Sequence, residues 1–170
     1  MVKRAPVQVL RAGTVHPGKY LVLVGGDVAD VEEALDAGVH SGGLAVRDVT
    51  FLANVNPEVI EGVRGRRRAA QDEALGIIET ATVPAIIRAA DAGLKGARVR
   101  LLELHLADDL GGKGYLLFDG TVTDVEAAVE IGTAAIGEAR GLHARVIAQQ
   151  HTEMAGELAA DGRFASRVSD

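Results

Sequence analysis

The apolar positions of this chain fall into short runs broken by glycine, and the same succession of runs occurs twice. VQVL (Val7–Leu10) and YLVLV (Tyr20–Val24) have strand length and are joined by a segment ending in Gly-Lys, which predicts a hairpin. Val31, Ala34, Leu35 and Gly38 then recur at helical spacing, with Asp30, Glu32 and Glu33 in the first turn, where the helix dipole favours carboxylates. LAVRDVTFLA (Leu44–Ala53) predicts a closing strand. In the second half VRLLELHL (Val99–Leu106) and YLLF (Tyr115–Phe118) predict another hairpin. Val125, Ala128, Val129 and Gly132 predict a helix led by Asp124 and Glu126, and LHARVIAQ (Leu142–Gln149) a closing strand. This half has its own beginning: a strand at ALGIIET (Ala74–Thr80) and a helix at VPAIIRAADAGLKGA (Val83–Ala97), with Pro84 in its first turn.

The two halves align residue by residue. GDVADVEEALDAG (Gly26–Gly38) and GTVTDVEAAVEIG (Gly120–Gly132) are identical at seven of thirteen positions. KRAPVQVL (Lys3–Leu10) lies over KGARVRLL (Lys95–Leu102), and GKYLVLVGGDV (Gly18–Val28) over GKGYLLFDGTV (Gly112–Val122). Seven residues separate Leu10 from Gly18 and nine separate Leu102 from Gly112, a length change of the kind a loop tolerates. The repeat divides the chain into a first copy at 1–58, a basic linker at 59–73, a second copy at 74–150 and a tail at 151–170. The second copy reads strand–helix–strand–strand–helix–strand, a ferredoxin-like α+β order. The first copy lacks a counterpart of Ala74–Ala92, so it is expected to begin inside its own first helix with one sheet edge uncovered. An added upstream strand and helix is expected to raise its melting temperature.

These residues resemble the bacterial microcompartment shell family, known by its BMC domain. The second copy resembles a whole domain, from ALGIIETATVPAIIRAADAGLKGARVRLLELHL through GGKGYLLFDGTVTDVEAAVEIG to the closing strand, and the first resembles the same domain without its opening strand and most of its first helix. Two domains in one chain resemble the tandem class of that family. The resemblance implies a homotrimer that mimics a hexamer, with a central pore for small metabolites, other shell proteins at its edges and cargo enzymes on one face. It implies the bacterial cytoplasm as the compartment, and a structural role rather than an enzymatic one.

In such a tile the loop between the two central strands points into the pore. Here that implies Gly13, Thr14, Val15 and His16 of the first copy, and Ala107, Asp108, Asp109, Leu110 and Gly111 of the second. Around a threefold axis Asp108 and Asp109 would form a ring of carboxylates, which attracts cations, and His16 would add imidazoles able to gain charge near neutral pH. The same residues also suit a solvated turn. Lys3 and Lys95 match the family's edge lysine, a place where a helix C-terminus also favours a cation. Asn54 and Gln149 stand where the family carries an edge arginine, a departure that implies different edge contacts.

Composition narrows the alternatives. A net charge of −6 argues against a nucleic-acid binder, and the absence of cysteine removes disulfides, thiolate nucleophiles and cysteine-held metal centres. With 48% hydrophobic but only 3% aromatic residues, the core must be aliphatic. No apolar stretch is long enough for a membrane span. GGKG (Gly111–Gly114) lacks the spacing and the hydroxyl residue of a phosphate loop, VHSGG (Val39–Gly43) offers no nucleophile–base arrangement, and the histidines show no metal-ligand spacing. No cofactor is expected. RGRRR (Arg64–Arg68) reads as a solvated connector or, alternatively, as a docking patch for acidic cargo; HTEMAGELAA suits a short helix and DGRFASRVSD a frayed tail. The runner-up function is a trimeric ferredoxin-like ligand-binding or regulatory protein that does not tile.

Overall fold

A computed structural model describes residues 1–137 and 143–159. The expected tail from residue 161 onward lies outside the described residues, although a helix does form at Thr152–Ala159. The second copy is built around a four-stranded antiparallel sheet. Its strands are β3 (Ala74–Thr80), β4 (Arg100–Leu106), β5 (Gly114–Gly120) and β6 (His143–Ile147), in the order β4-β5-β3-β6. The first copy contributes a separate two-stranded sheet of β1 (Gln8–Val15) and β2 (Lys19–Gly25), followed by helix α1 (Val28–Gly42).

Helices α3 (Val83–Gly96) and α4 (Val122–Ile136) pack together on one face of the large sheet. Their starts follow from local chemistry. Thr82 Oγ1 accepts from Ala85 N at 3.3 Å and Thr121 Oγ1 from Asp124 N at 3.3 Å, each satisfying an amide that the helix itself cannot. Phe118, Ile78, Ile86, Leu116 and Ala128, all fully buried, fill the space between helices and sheet. Phe118 fits because position 93 carries no side chain: a Cβ there would stand 2.6 Å from Phe118 Cζ and 3.0 Å from the Ala128 carbonyl oxygen. The opposite face carries a smaller cluster of Leu75, Leu102 and Leu117, with Ile77, Tyr115 and Leu158 of α5 (Thr152–Ala159) against it.

The duplication survives at the level of register. In β1–β2 the pairs Gln8↔Gly25, Val9↔Val24 and Arg11↔Leu23 leave Leu10 bulged. In β4–β5 the pairs Arg100↔Asp119, Leu101↔Phe118 and Glu103↔Leu117 leave Leu102 bulged at the matching place. An extra residue at one point turns the following side chains relative to the preceding ones. Val15, Leu21 and Leu23 can therefore reach the main core while Val9, Leu10 and Val22 stay exposed.

Two expectations need correction. Leu44–Ala53 is not a strand: α1 ends in a short 3-10 turn at Gly43–Ala45 and the chain continues without ladder pairing. The physical reason is the missing template. In the second copy β6 lies on β3 (Leu75↔Ile147 to Glu79↔His143), and residues 1–58 supply no equivalent of β3. Side chains of α3 and its cap hold the segment instead. Thr82 Oγ1 donates to Asp48, and Arg88 donates from Nε to Thr50 Oγ1 at 3.0 Å and from Nη2 to the Val49 carbonyl at 2.9 Å.

Arg64–Arg68 is likewise no free connector. Helix α2 (Pro57–Val63), capped by Asn56 Oδ1 accepting from Glu58 N at 2.9 Å, lies on β4 with Val59 and Val63 buried. The arginines after it are drawn into ion pairs: Arg66 with Glu61 at 2.6 Å, Arg68 with Glu58 at 2.9 Å and Glu61 at 2.7 Å, and Arg67 with Glu103. Those partners hold Arg68 above its ordinary range, chiefly through the hydrogen bond to Glu61, whose own carboxyl is held low chiefly by Arg68.

Gly93→Ala is expected to lower unfolding stability by about 1–3 kcal/mol, because neither the Phe118 ring nor the Ala128 carbonyl has room to retreat. Urea denaturation of the purified variant measures it, and an unchanged midpoint would mean that the helices yield more than the packing suggests.

Candidate functional site

The two predicted loops meet. The β1–β2 connection is a turn of His16, Pro17 and Gly18, in which Gly18 takes φ +65°, a conformation that glycine reaches without a side-chain penalty. The β4–β5 connection, residues 107–113, is a compact loop. Ala107 N donates to the Lys113 carbonyl at 2.9 Å, and Leu110 N and Gly112 N both donate to the Ala107 carbonyl, at 3.1 and 3.3 Å. Lys19 Nζ donates to the Gly111 carbonyl at 2.6 Å, so the start of β2 in the first copy is tied to the loop of the second. Lys113 anchors the far side of that loop to Glu79 at 2.7 Å.

The predicted pore residues divide between tip and framework. Asp108 and Asp109 are exposed at the tip of the second loop, His16 is exposed in the first turn, and Leu110 and Gly111 are half-buried. Gly13, Thr14 and Val15 lie within β1 rather than in the loop, because strand pairing runs on to Val15↔Lys19. Val15 and Ala107 turn their side chains into the apolar core, so neither presents a side chain at the tip.

Behind the loop lies a polar cluster that the sequence did not single out. Glu103, His105 and Tyr115 share the face of the sheet opposite α3 and α4. The His105 and Tyr115 rings stack at 5.0 Å, only 3° from parallel. Tyr115 Oη donates to Glu103 Oε1 at 2.8 Å, and Arg67 pairs with Glu103 Oε2. His105 has an acceptor at each ring nitrogen: Nδ1 is 3.5 Å from Glu103 Oε1 and Nε2 is 2.9 Å from the Asp108 carbonyl. Only the imidazolium donates at both. The hydrogen bond to Glu103 accordingly raises the His105 pKa, against burial, with help from the Asp108 carbonyl. Burial pushes Glu103 up, but its bonds from His105, Tyr115 and Arg67 together outweigh it and hold the carboxyl low. The available signal was the spacing E-x-H on a strand, which puts both side chains on one face.

At the predicted edges, Lys95 pairs with Asp91 at 2.6 Å; Asp91 is almost wholly buried and also accepts from Asn56 N at 2.7 Å. Lys95 therefore helps to neutralise a buried carboxylate within its own chain. Lys3, Asn54 and Gln149 are exposed. Among the described residues no group of three or more His, Cys, Asp or Glu side chains is placed to hold a metal ion, and no helix is long and apolar enough to cross a membrane.

Two hairpins with one register, each followed by a helix, and one copy completed to the order β4-β5-β3-β6, define a tandem repeat of a single α+β domain. The BMC domain model matches residues 1–55 and again 74–150, and the chain belongs to that family. The bacterial microcompartment shell protein PduT of Citrobacter freundii is 36% identical over 156 residues, spanning 91% of this chain and 84% of its own length. The carboxysome assembly protein CcmO of a Synechocystis strain is 28% identical over 86% of this chain, which spans only 54% of that relative. Among solved structures, a microcompartments protein from Desulfitobacterium hafniense superposes with a TM-score of 0.77 at 36% identity, covering 90% of this chain and 86% of its own.

Because the folded pKa of His105 is raised, its charge stabilises the fold fully below the ordinary histidine value of about 6.5 and loses that effect as pH climbs through the raised value. The melting-temperature advantage of the native chain over His105→Gln should thus be largest on the acid side of neutrality and shrink in alkaline buffer. Thermal scans across pH test this; an advantage that stays flat would remove the doubly donating imidazolium.

Proposed function

We propose that the chain is a structural shell protein of a bacterial microcompartment, three copies of which close into a pseudohexameric tile with a pore at its centre. The observation that carries the reading is the duplicated hairpin: β1–β2 and β4–β5 share strand register and bulge, and their connecting turns emerge side by side, joined by Lys19 and the Gly111 carbonyl. Three chains bring six such hairpins to one axis, and closed cyclic symmetry is the usual solution for repeated units of this kind. The similarity to PduT over most of both chains supports the shell role.

In this assembly the exposed Asp108 and Asp109 form the pore rim of the second copy and His16 that of the first. Six carboxylates around a threefold axis favour cations and disfavour anions of metabolite size. Gly13, Thr14, Val15, Ala107, Leu110 and Gly111 shape the rim through their backbone rather than by facing the opening. Lys3, Asn54 and Gln149 lie at the outer edge, where other shell proteins abut, and cargo enzymes meet one face.

Light scattering after size exclusion should give about 53 kDa, the mass of three 17.7 kDa chains. Asp108→Asn with Asp109→Asn should keep that mass while reducing cation preference in single-channel recordings across a planar bilayer. A monomeric mass would overturn the tile, and an unchanged ion preference in an intact trimer would overturn the carboxylate rim alone.

A further inference from the structure

Between the two copies lies a cavity of about 180 Å3 that the shell role leaves unexplained. Three parts of the chain wall it: Arg11 from β1, Arg66 and Arg67 from the turn after α2, and Glu103, His105 and Asp108 from β4 and the loop beyond. Arg11 and Glu103 occupy matching positions in the two hairpins, each the first paired residue after the bulge, so the duplication has reversed the charge at one site and placed both versions on one cavity.

The balance of charge favours an anion. With His105 as imidazolium, four cationic groups face two carboxylates, in a chain whose overall charge is −6. Arg67 is directed at Glu103, and Arg66 at Glu61, which lies outside the lining. Among the described residues Arg11 has no carboxylate within ion-pair distance. Guanidinium groups present fixed forks of N–H donors that match tetrahedral oxyanions, and a water molecule takes up about 30 Å3, so the space suits one small anion with a few waters.

We propose that this cavity is a binding site for a small tetrahedral oxyanion of the sulfate or phosphate class, held by Arg11 and Arg66 with His105 at its inner wall. The whole lining belongs to one chain, so the site binds whether or not three chains close into a ring. The charged and titratable groups around His105 are Glu103 on its own strand, Tyr115 on β5, Arg66 and Arg67 after α2, Arg11 on β1 and Asp108 in the loop. Of these, Asp108 opposes the ligand.

Calorimetric titration of the full chain with sodium sulfate at constant ionic strength tests the site, sulfate being chosen because it stays doubly charged across the whole pH range. Saturable binding is expected, weakening as pH rises and His105 loses its proton. Arg11→Gln should weaken it about tenfold, Arg11→Lys less, and His105→Gln should flatten the pH dependence. Arg11 is exposed on a strand, so its variants should keep the native melting temperature. In a parallel NMR titration saturating sulfate should move the His105 midpoint upward, as reciprocal linkage requires. Heats no greater than those of matched sodium chloride, or sulfate binding untouched by Arg11→Gln in a folded chain, would overturn the site.

Discussion

Strand register in the two hairpins is the constraint on which the rest of the molecule depends. One bulged residue, Leu10 in one copy and Leu102 in the other, decides which side chains beyond it face the core. A slip of one residue would carry Leu101 and Leu104 out of the apolar cluster and bring Glu103 and His105 in, at the cost of burying charges against helices that offer them no partner. Correct register instead puts Glu103 and His105 on the face where Tyr115 and Arg67 receive them, and delivers the connecting loops to one place. Packing, polar cluster and loop position thus follow from one alignment of backbone hydrogen bonds.

Much of this was legible in the sequence, and the failures have physical causes. Ala74–Thr80 was read to the residue and Val83–Gly96 nearly so, because each is bounded by its own punctuation: a short aliphatic run, then Thr82 and Pro84 opening a helical spacing. Leu44–Ala53 has equally good strand composition, yet a strand exists only beside another, and the partner that β6 finds in β3 has no counterpart in residues 1–58. Propensity is local; pairing is not. The arginines at 64–68 misled in the same way, since Glu103, which pairs with Arg67, lies 36 positions further along the chain.

The candidate site was half visible. Its loops could be located from the repeat, but which residues turn outward could not, because Val15 and Ala107 are claimed by a core assembled from both copies. The polar cluster behind the loop was hidden by its setting in VRLLELHL, where a glutamate and a histidine between leucines look like the wet face of an ordinary strand. Their burial depends on Arg67 and Tyr115, each supplied by a different part of the chain. The duplicated framework is therefore stable enough to host different chemistry in each copy: Gly13 and Leu21 stand where the second copy carries His105 and Tyr115.

The way Leu44–Ala53 is held has an evolutionary side. Ladder pairing is largely indifferent to which side chains a strand carries, so a strand can change sequence and keep its place. This segment is gripped by Thr82 and Arg88, with Asp91 holding the chain just beyond it at Asn56. Drift at those three positions of the second copy is felt at once by the first, and the reverse holds for Asp48 and Thr50. Duplicated domains are usually thought to be released to diverge separately; here the two share a molecular handshake, and neither can wander far without the other.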